Sequence, residues 1–114
     1  MSINRYFATG KVVSDVSLRK TNGDVSVVNF KIVVLEGYGN KKKANYFDCC
    51  AWKEIAEYIV QNVSKGTLLS IEGHLNQRVW QVDGKNRSQV EIEIDDVVIM
   101  SKKSEASETV AEAV

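Results

Sequence analysis

Residues 46–75 read YFDCCAWKEIAEYIVQNVSKGTLLSIEGHL, and the change of hydrophobic period inside this stretch decides the fold. From Tyr46 to Trp52 the period is two. Tyr46, Asp48, Cys50 and Trp52 fall on one face of a strand, and Phe47, Cys49 and Ala51 on the other. The period then lengthens. Ile55, Ile59 and Val63 recur every four residues with Ala56 and Val60 beside them, which predicts a short amphipathic helix. Lys65-Gly66 supplies its stop, since glycine accepts the left-handed turn. Thr67 to Val82 returns to strand, and Gly73 marks a bulge or tight bend of the kind a small barrel needs at its corners.

Working outward, the rest of the chain is strand and turn. Ile3 to Val13 is a β-rich opening interrupted by Gly10, followed by a turn-prone Ser14-Asp15. Thr21-Asn22-Gly23-Asp24 is a turn, because Asn and Gly tolerate positive φ. Val25 to Leu35 is a strand with Val28, Phe30, Ile32 and Val34 on one face. Gly37-Tyr38-Gly39-Asn40 and Lys41-Lys42-Lys43 make a flexible basic loop with one aromatic in it. Asp83-Gly84 is a hairpin signal. Gln89 to Met100 is the last strand, with Val90, Ile92 and Ile94 expected inward. The order is three strands, one helix, two strands. An all-β (mainly β) fold is therefore expected, a five-stranded Greek-key OB-fold barrel with one short helix between strands 3 and 4. A split sheet carrying one helix fits the same order. The barrel is expected over residues 1–100 and a short acidic, disordered tail over 101–114.

Length and composition narrow the function. A chain of 114 residues holds one domain and one core. Its formal charge is zero, but the distribution is uneven. All 15 Lys and Arg lie at or before Lys103, whereas three of the 15 acidic residues are Glu105, Glu108 and Glu112. The body thus carries a small basic surplus, compatible with a nucleic-acid groove. Cys49 and Cys50 are adjacent and point to opposite faces, so they are expected as reduced, structural thiols. One histidine and two cysteines do not make a structural zinc set, and no metal or cofactor is expected. No stretch reaches the roughly 20 apolar residues of a membrane helix, and the N-terminus lacks a signal-peptide pattern. A cytoplasmic protein without a membrane partner is expected.

Strand alternation places aromatic and basic side chains together. On the fourth strand Leu69, Ile71 and Leu75 form the core set, and the opposite face carries His74, Asn76, Arg78 and Trp80. Two strands each offer a face ending in tryptophan, and Tyr38 is added from the loop. Such a mixture suits an unpaired nucleic-acid strand, because every base has a flat π face for a ring and every phosphate a charge for Lys or Arg. The plain alternative for either tryptophan alone is a core position. For Lys41–Lys43 it is a solvated loop, and for His74 a surface residue. Tyr6, Phe7, Phe30, Phe47 and Tyr58 are read as core or interface. Asp48 and His74 are the only acid–base pair on offer, with no nucleophile or metal set beside them, so no enzyme activity is expected.

Several segments resemble the bacterial single-stranded DNA-binding protein family. Asn4-Arg5-Tyr6-Phe7-Ala8-Thr9-Gly10-Lys11 resembles its first strand, and Leu18-Arg19 with Thr21-Asn22-Gly23 its first turn. Val28-Asn29-Phe30-Lys31-Ile32 resembles its second strand. Ala51-Trp52-Lys53-Glu54-Ile55-Ala56-Glu57 is similar to its helix start, and Lys65-Gly66-Thr67 through Gly73-His74-Leu75 to its fourth strand. The likeness runs in order from about residue 3 to residue 100. It implies a homotetramer, or at least a dimer, binding single-stranded DNA without sequence preference in replication, recombination or repair.

Carried over position by position, the stacking residues fall on Tyr38, Tyr46, Trp52 and Trp80. The phosphate partners implied first are Arg5, Lys11, Lys31, Lys53 and Arg78, with Lys41, Lys42, Lys43, Lys85 and Arg87 on flexible loops. One departure stands out. The family's long linker and acidic, aromatic-ended tip are replaced here by scattered Glu105, Glu108 and Glu112. Recruitment of replication or repair enzymes through such a tip is not expected, and a phage, plasmid or auxiliary version is the reading that follows. An accessory factor whose main partner is a protein is the competing function.

Overall fold

The computed structural model describes residues 2–101; Met1 and residues 102–114, all of the expected tail but Ser101, lie outside the described residues. Six strands and one helix follow in the order β1 (Tyr6–Val12), β2 (Ser17–Lys20), β3 (Ser26–Glu36), β4 (Lys43–Trp52), α1 (Lys53–Asn62), β5 (Leu68–Val82) and β6 (Lys85–Ser101). The sheet order β1-β5-β6-β4-β3-β2, with β1 also paired to β3, closes a five-stranded barrel with β2 outside the ring. Because β1 and β2 both pair with β3, they amount to one strand bent at Ser14–Val16. At the bend the Ser14 hydroxyl accepts the Lys31 backbone N–H at 2.7 Å, standing in for the missing rung. This is the OB-fold, as expected.

Two short seams complete the ring. One is the pairing of Lys11 with Val33 and Val12 with Ile32. The other is the parallel pairing of Cys49 with Ile92 and Cys50 with Glu93. Inside lie Val28, Phe30, Ile32, Cys49, Ala51, Leu69, Ile71, Ile92 and Ile94, and α1 closes one end with buried Ala56 and Ile59. Tyr6 and Phe47 meet edge-on at 5.8 Å against this core. Both thiols are free and buried. Burial first, then the Glu91 carboxylate, pushes the Cys50 thiol up to about 12. Burial first, with Cys50 and Asp48 adding to it, lifts Cys49 further. Both stay protonated and unreactive.

Several local expectations hold and others shift. Asp83 and Gly84 both take positive φ (52° and 79°) between paired Val82 and Lys85, a two-residue hairpin turn. Gly73 sits at a register shift, with Asp95 as the extra residue on β6. A Cβ on Gly73 would run into the Glu93 carbonyl oxygen. In the Thr21–Val25 turn it is Asp24 that carries the positive φ (60°), not Asn22 or Gly23. The helix ends at Asn62 with Val63 extended, so Gly66 does not stop it. With φ 100°, Gly66 instead turns the chain toward β5 while donating to the Val12 carbonyl at 2.8 Å.

Two expected core residues lie outside the core. Leu75 is 44% exposed and Val90 56%. The alternation there is sound, since Leu75 pairs with buried Ile92. Past Leu75, however, the β5–β6 ribbon leaves the barrel as a two-stranded arm, and every residue from Leu75 to Gln81 is exposed. The inward phase therefore has no second layer to meet. At the arm's root the Asn4 side chain holds the Leu75 backbone, accepting its N–H at 3.0 Å and donating to its carbonyl at 2.8 Å.

Candidate nucleic-acid interface

The outer face of the β2-β3-β4 sheet repeats one cross-strand file twice. Lys11, Val33 and Tyr46 are paired in sequence across β1, β3 and β4. Arg19, Val27 and Trp52 are paired likewise across β2, β3 and β4. Paired residues on neighbouring strands point to the same face. Each file therefore sets a cation and an aromatic ring on either side of a valine, and both valines are almost fully buried. The files are six residues apart along β4, about 20 Å at the rise of a strand.

All four candidate stacking rings are open to solvent. Tyr38 is 88% exposed in the β3–β4 loop, Tyr46 60%, and Trp52 and Trp80 39% each. The core alternative for the two tryptophans is thereby set aside. Positive φ at Gly37 and Gly39 forms the loop that presents Tyr38, and a Cβ on Gly37 would strike the Lys41 carbonyl. Trp52 ends β4, and the chain turns into α1 through Lys53 at φ 59°, a conformation that strains a non-glycine residue. Trp80 lies on the arm. The Arg78 guanidinium stands 5.6 Å from its ring centroid, and Arg87 is its cross-strand partner.

A cleft of about 340 Å³ joins the β4 face to the arm, lined by Ser14, Asn29, Lys31, Asp48, Arg78, Gln89 and Glu91 among others. Gln89 donates to Asp48 across it. Lys31 lies 3.8 Å from Asp48 and Arg78 3.6 Å from Glu91. Glu91 is also reached by the Cys50 thiol at 3.5 Å. Rings and cations thus run from Tyr46 and Trp52 through the cleft to Trp80.

Not every expected cation joins this track. Arg5 pairs with Glu72 at 3.3 Å on the β1–β5 side of the barrel, beside Phe7 in register. Lys43 is not on a flexible loop; it opens β4 and lies 3.9 Å from Glu36. Lys85 and Arg87 are likewise on β6, at the arm's tip, because the hairpin loop is only two residues long. Lys41 and Lys42 remain in the exposed loop. Arg19 is the residue that sequence reasoning overlooked. Its side chain donates to the Asn29 amide oxygen at 3.0 Å. The signal was weak, since β2 is four exposed residues without alternation.

His74 is more than a surface residue. Its Nε2 lies 2.7 Å from Glu93 and its Nδ1 3.0 Å from Asp95. The Asp95 hydrogen bond first, with Glu93 adding to it against some desolvation, holds its pKa above the usual histidine value. Asp48 is engaged elsewhere, by Gln89 and Lys31, so the two do not form an acid–base pair.

Known proteins resemble this chain in sequence and in fold. The profile of the single-strand binding protein family matches residues 3–100. A single-stranded DNA-binding protein of Oceanobacillus iheyensis is 29% identical over 105 residues, covering 89% of this chain and 65% of that one. One of Lactiplantibacillus plantarum is 30% identical over 100 residues, covering 85% and 48%. The chain thus spans about half to two-thirds of the length of these relatives. A solved Plasmodium falciparum SSB complex with ssDNA superposes with a TM-score of 0.81 at 20% identity, covering 89% of this chain and 97% of that one. At that identity the match speaks for the fold.

Proposed function

The chain belongs to the single-strand binding protein family, and we propose that it binds single-stranded DNA without sequence preference, as a binder and not a catalyst. The observation that carries this reading is the exposure of four aromatic rings along a surface that also bears Lys11, Arg19, Lys31, Arg78 and Arg87. A protein-docking barrel has no need to keep flat rings spaced along a cation-bearing path. Bases stack on Tyr38, Tyr46, Trp52 and Trp80, and phosphates meet the neighbouring cations, with Lys41, Lys42, Lys53 and Lys85 reaching the strand from the margins. Arg5 and Lys43 contribute least, because each lies at the edge of the track, Arg5 beside Glu72 on the β1–β5 side and Lys43 at the start of β4. Such a protein would protect unpaired strands during replication, recombination or repair and associate with the nucleoid. No helix among the described residues is long and apolar enough to cross a membrane.

Assembly into a homo-oligomer, a dimer or tetramer, is part of the reading. Among the described residues, β1 upstream of Lys11 pairs only with β5, which leaves one edge open. Phe7, Val98 and Met100 are exposed on β1 and β6. Both features favour a second copy as partner.

Intrinsic fluorescence tests the site. Oligothymidine should quench Trp52 and Trp80 at low salt, and high salt should reverse it. Trp52→Ala and Trp80→Ala should each weaken binding by about 1–3 kcal/mol without loss of the fold. An unquenched protein at low salt would leave the accessory-factor reading in its place.

A further inference from the structure

The cleft between the two aromatic groups has an unexpected charge arrangement for a surface that holds a polyanion. Both of its cations already have an anion. Lys31 sits 3.8 Å from Asp48, and Arg78 sits 3.6 Å from Glu91. The carboxylates are the fixed partners. Asp48 is gripped from β6 by Gln89. Glu91 receives the Cys50 thiol, and its side chain is only 7% exposed. The cations are the more exposed partners, with side chains 48% and 53% exposed, Arg78 also lying against the Trp80 ring. A phosphate entering the cleft can draw Lys31 or Arg78 away, but it leaves the carboxylate behind.

We propose that Asp48 and Glu91 are built-in competitors of the DNA phosphates, weakening the middle of the track and blunting the protein's response to salt. This rests on the single-stranded DNA-binding reading above. The physical basis is counterion balance. A phosphate neutralised by an unpaired lysine releases its condensed cation to solution, giving a salt slope of about −0.7 per contact on single strands. When the lysine comes from an ion pair, the abandoned carboxylate draws cation density back toward itself, and net release falls. The outer rings then hold the strand, while the cleft between them engages it at little net gain.

Asp48→Asn tests this cleanly, because the amide oxygen can still accept from Gln89 and the position is partly exposed. Binding to a thymidine oligomer is measured by fluorescence over a range of salt concentrations for the wild type, Asp48→Asn, Glu91→Gln and the double variant. Asp48→Asn should tighten binding roughly 2- to 5-fold at low salt, the worth of a surface ion pair, and Glu91→Gln should tighten it as well. Each should also steepen the slope of log K against log salt by up to about 0.7, and the pair together by up to about 1.4.

Lys31→Met gives a check that does not depend on Glu91→Gln folding. It should lower the slope by about 0.7 in the Asp48→Asn background and by clearly less in the wild type. Unchanged slopes in all variants would overturn the proposal. So would weaker binding by Asp48→Asn, which would make the carboxylate a ligand for base amino groups. A wild type that fails to bind at low salt would instead overturn the underlying function.

Discussion

The two halves of the β5–β6 ribbon share one hydrogen-bonded ladder and differ in almost everything else. From Leu68 to His74 the ribbon is barrel wall, with Leu69 fully buried and Ile71 nearly so. From Leu75 to Val82 it is an arm in solvent, although the ladder runs unbroken to the Val82–Lys85 pair. Apolar alternation persists too, in Leu75, Val79 and Val90. What the arm lacks is a second layer, so the same pattern that locks the wall earns the arm little stability. Its side chains are free to serve a ligand, and Trp80 and Arg78 lie there.

The largest test of this contrast is a pair of truncations. Leu69→Ala should cost about 2–5 kcal/mol through lost burial and a cavity. Val79→Ala on the arm should stay within about 0.5 kcal/mol, as at an ordinary surface position. Chemical denaturation of both variants measures the difference, and a comparable loss at Val79 would mean that a partner copy covers the arm.

The boundary between the halves comes next. Gly73→Ala places a methyl group against the Glu93 carbonyl and should cost about 1–3 kcal/mol as β6 shifts to make room. If the melting temperature does not move, the bulge adjusts more freely than its geometry implies.

His74, just past that boundary, sharpens the comparison by the smallest amount. Its folded-state pKa is raised above 6.5, chiefly by Asp95. The protonated form therefore stabilises the fold fully below that value. This contribution should fade as pH climbs from about 6.5 through the raised pKa. Thermal melts across neutral pH should show the decline, and His74→Gln should abolish it. The side chain is 35% exposed, so the effect will be modest.

Much of this architecture is legible in the residues. The shift from period two to period four after Trp52 places the helix between strands, and Asp83-Gly84 and Gly73 mark the turn and the bulge. Alternation puts Tyr46 and Trp52 on one face, but buried Cys50 shares that face, so the exposure of the two rings does not follow from it. Other features depend on distant partners that no local pattern encodes. Leu75 and Val90 alternate correctly but sit where the ribbon departs from its neighbours. Arg19 gains meaning only from pairing with β3, and β2 has too few residues to announce itself. The roles of Asp48 and Glu91 depend on Lys31, Gln89 and Arg78, drawn from three different strands.

The seam that joins β4 to β6 runs through both cysteines, and it is only two residue pairs long. Both sulfurs are buried there and held as protonated thiols, Cys50 against Glu91 at the cleft wall. A thiol reagent therefore has to wait for an opening of the seam or of the cleft beside it, and modification of the two cysteines reports how readily that part of the ring breathes.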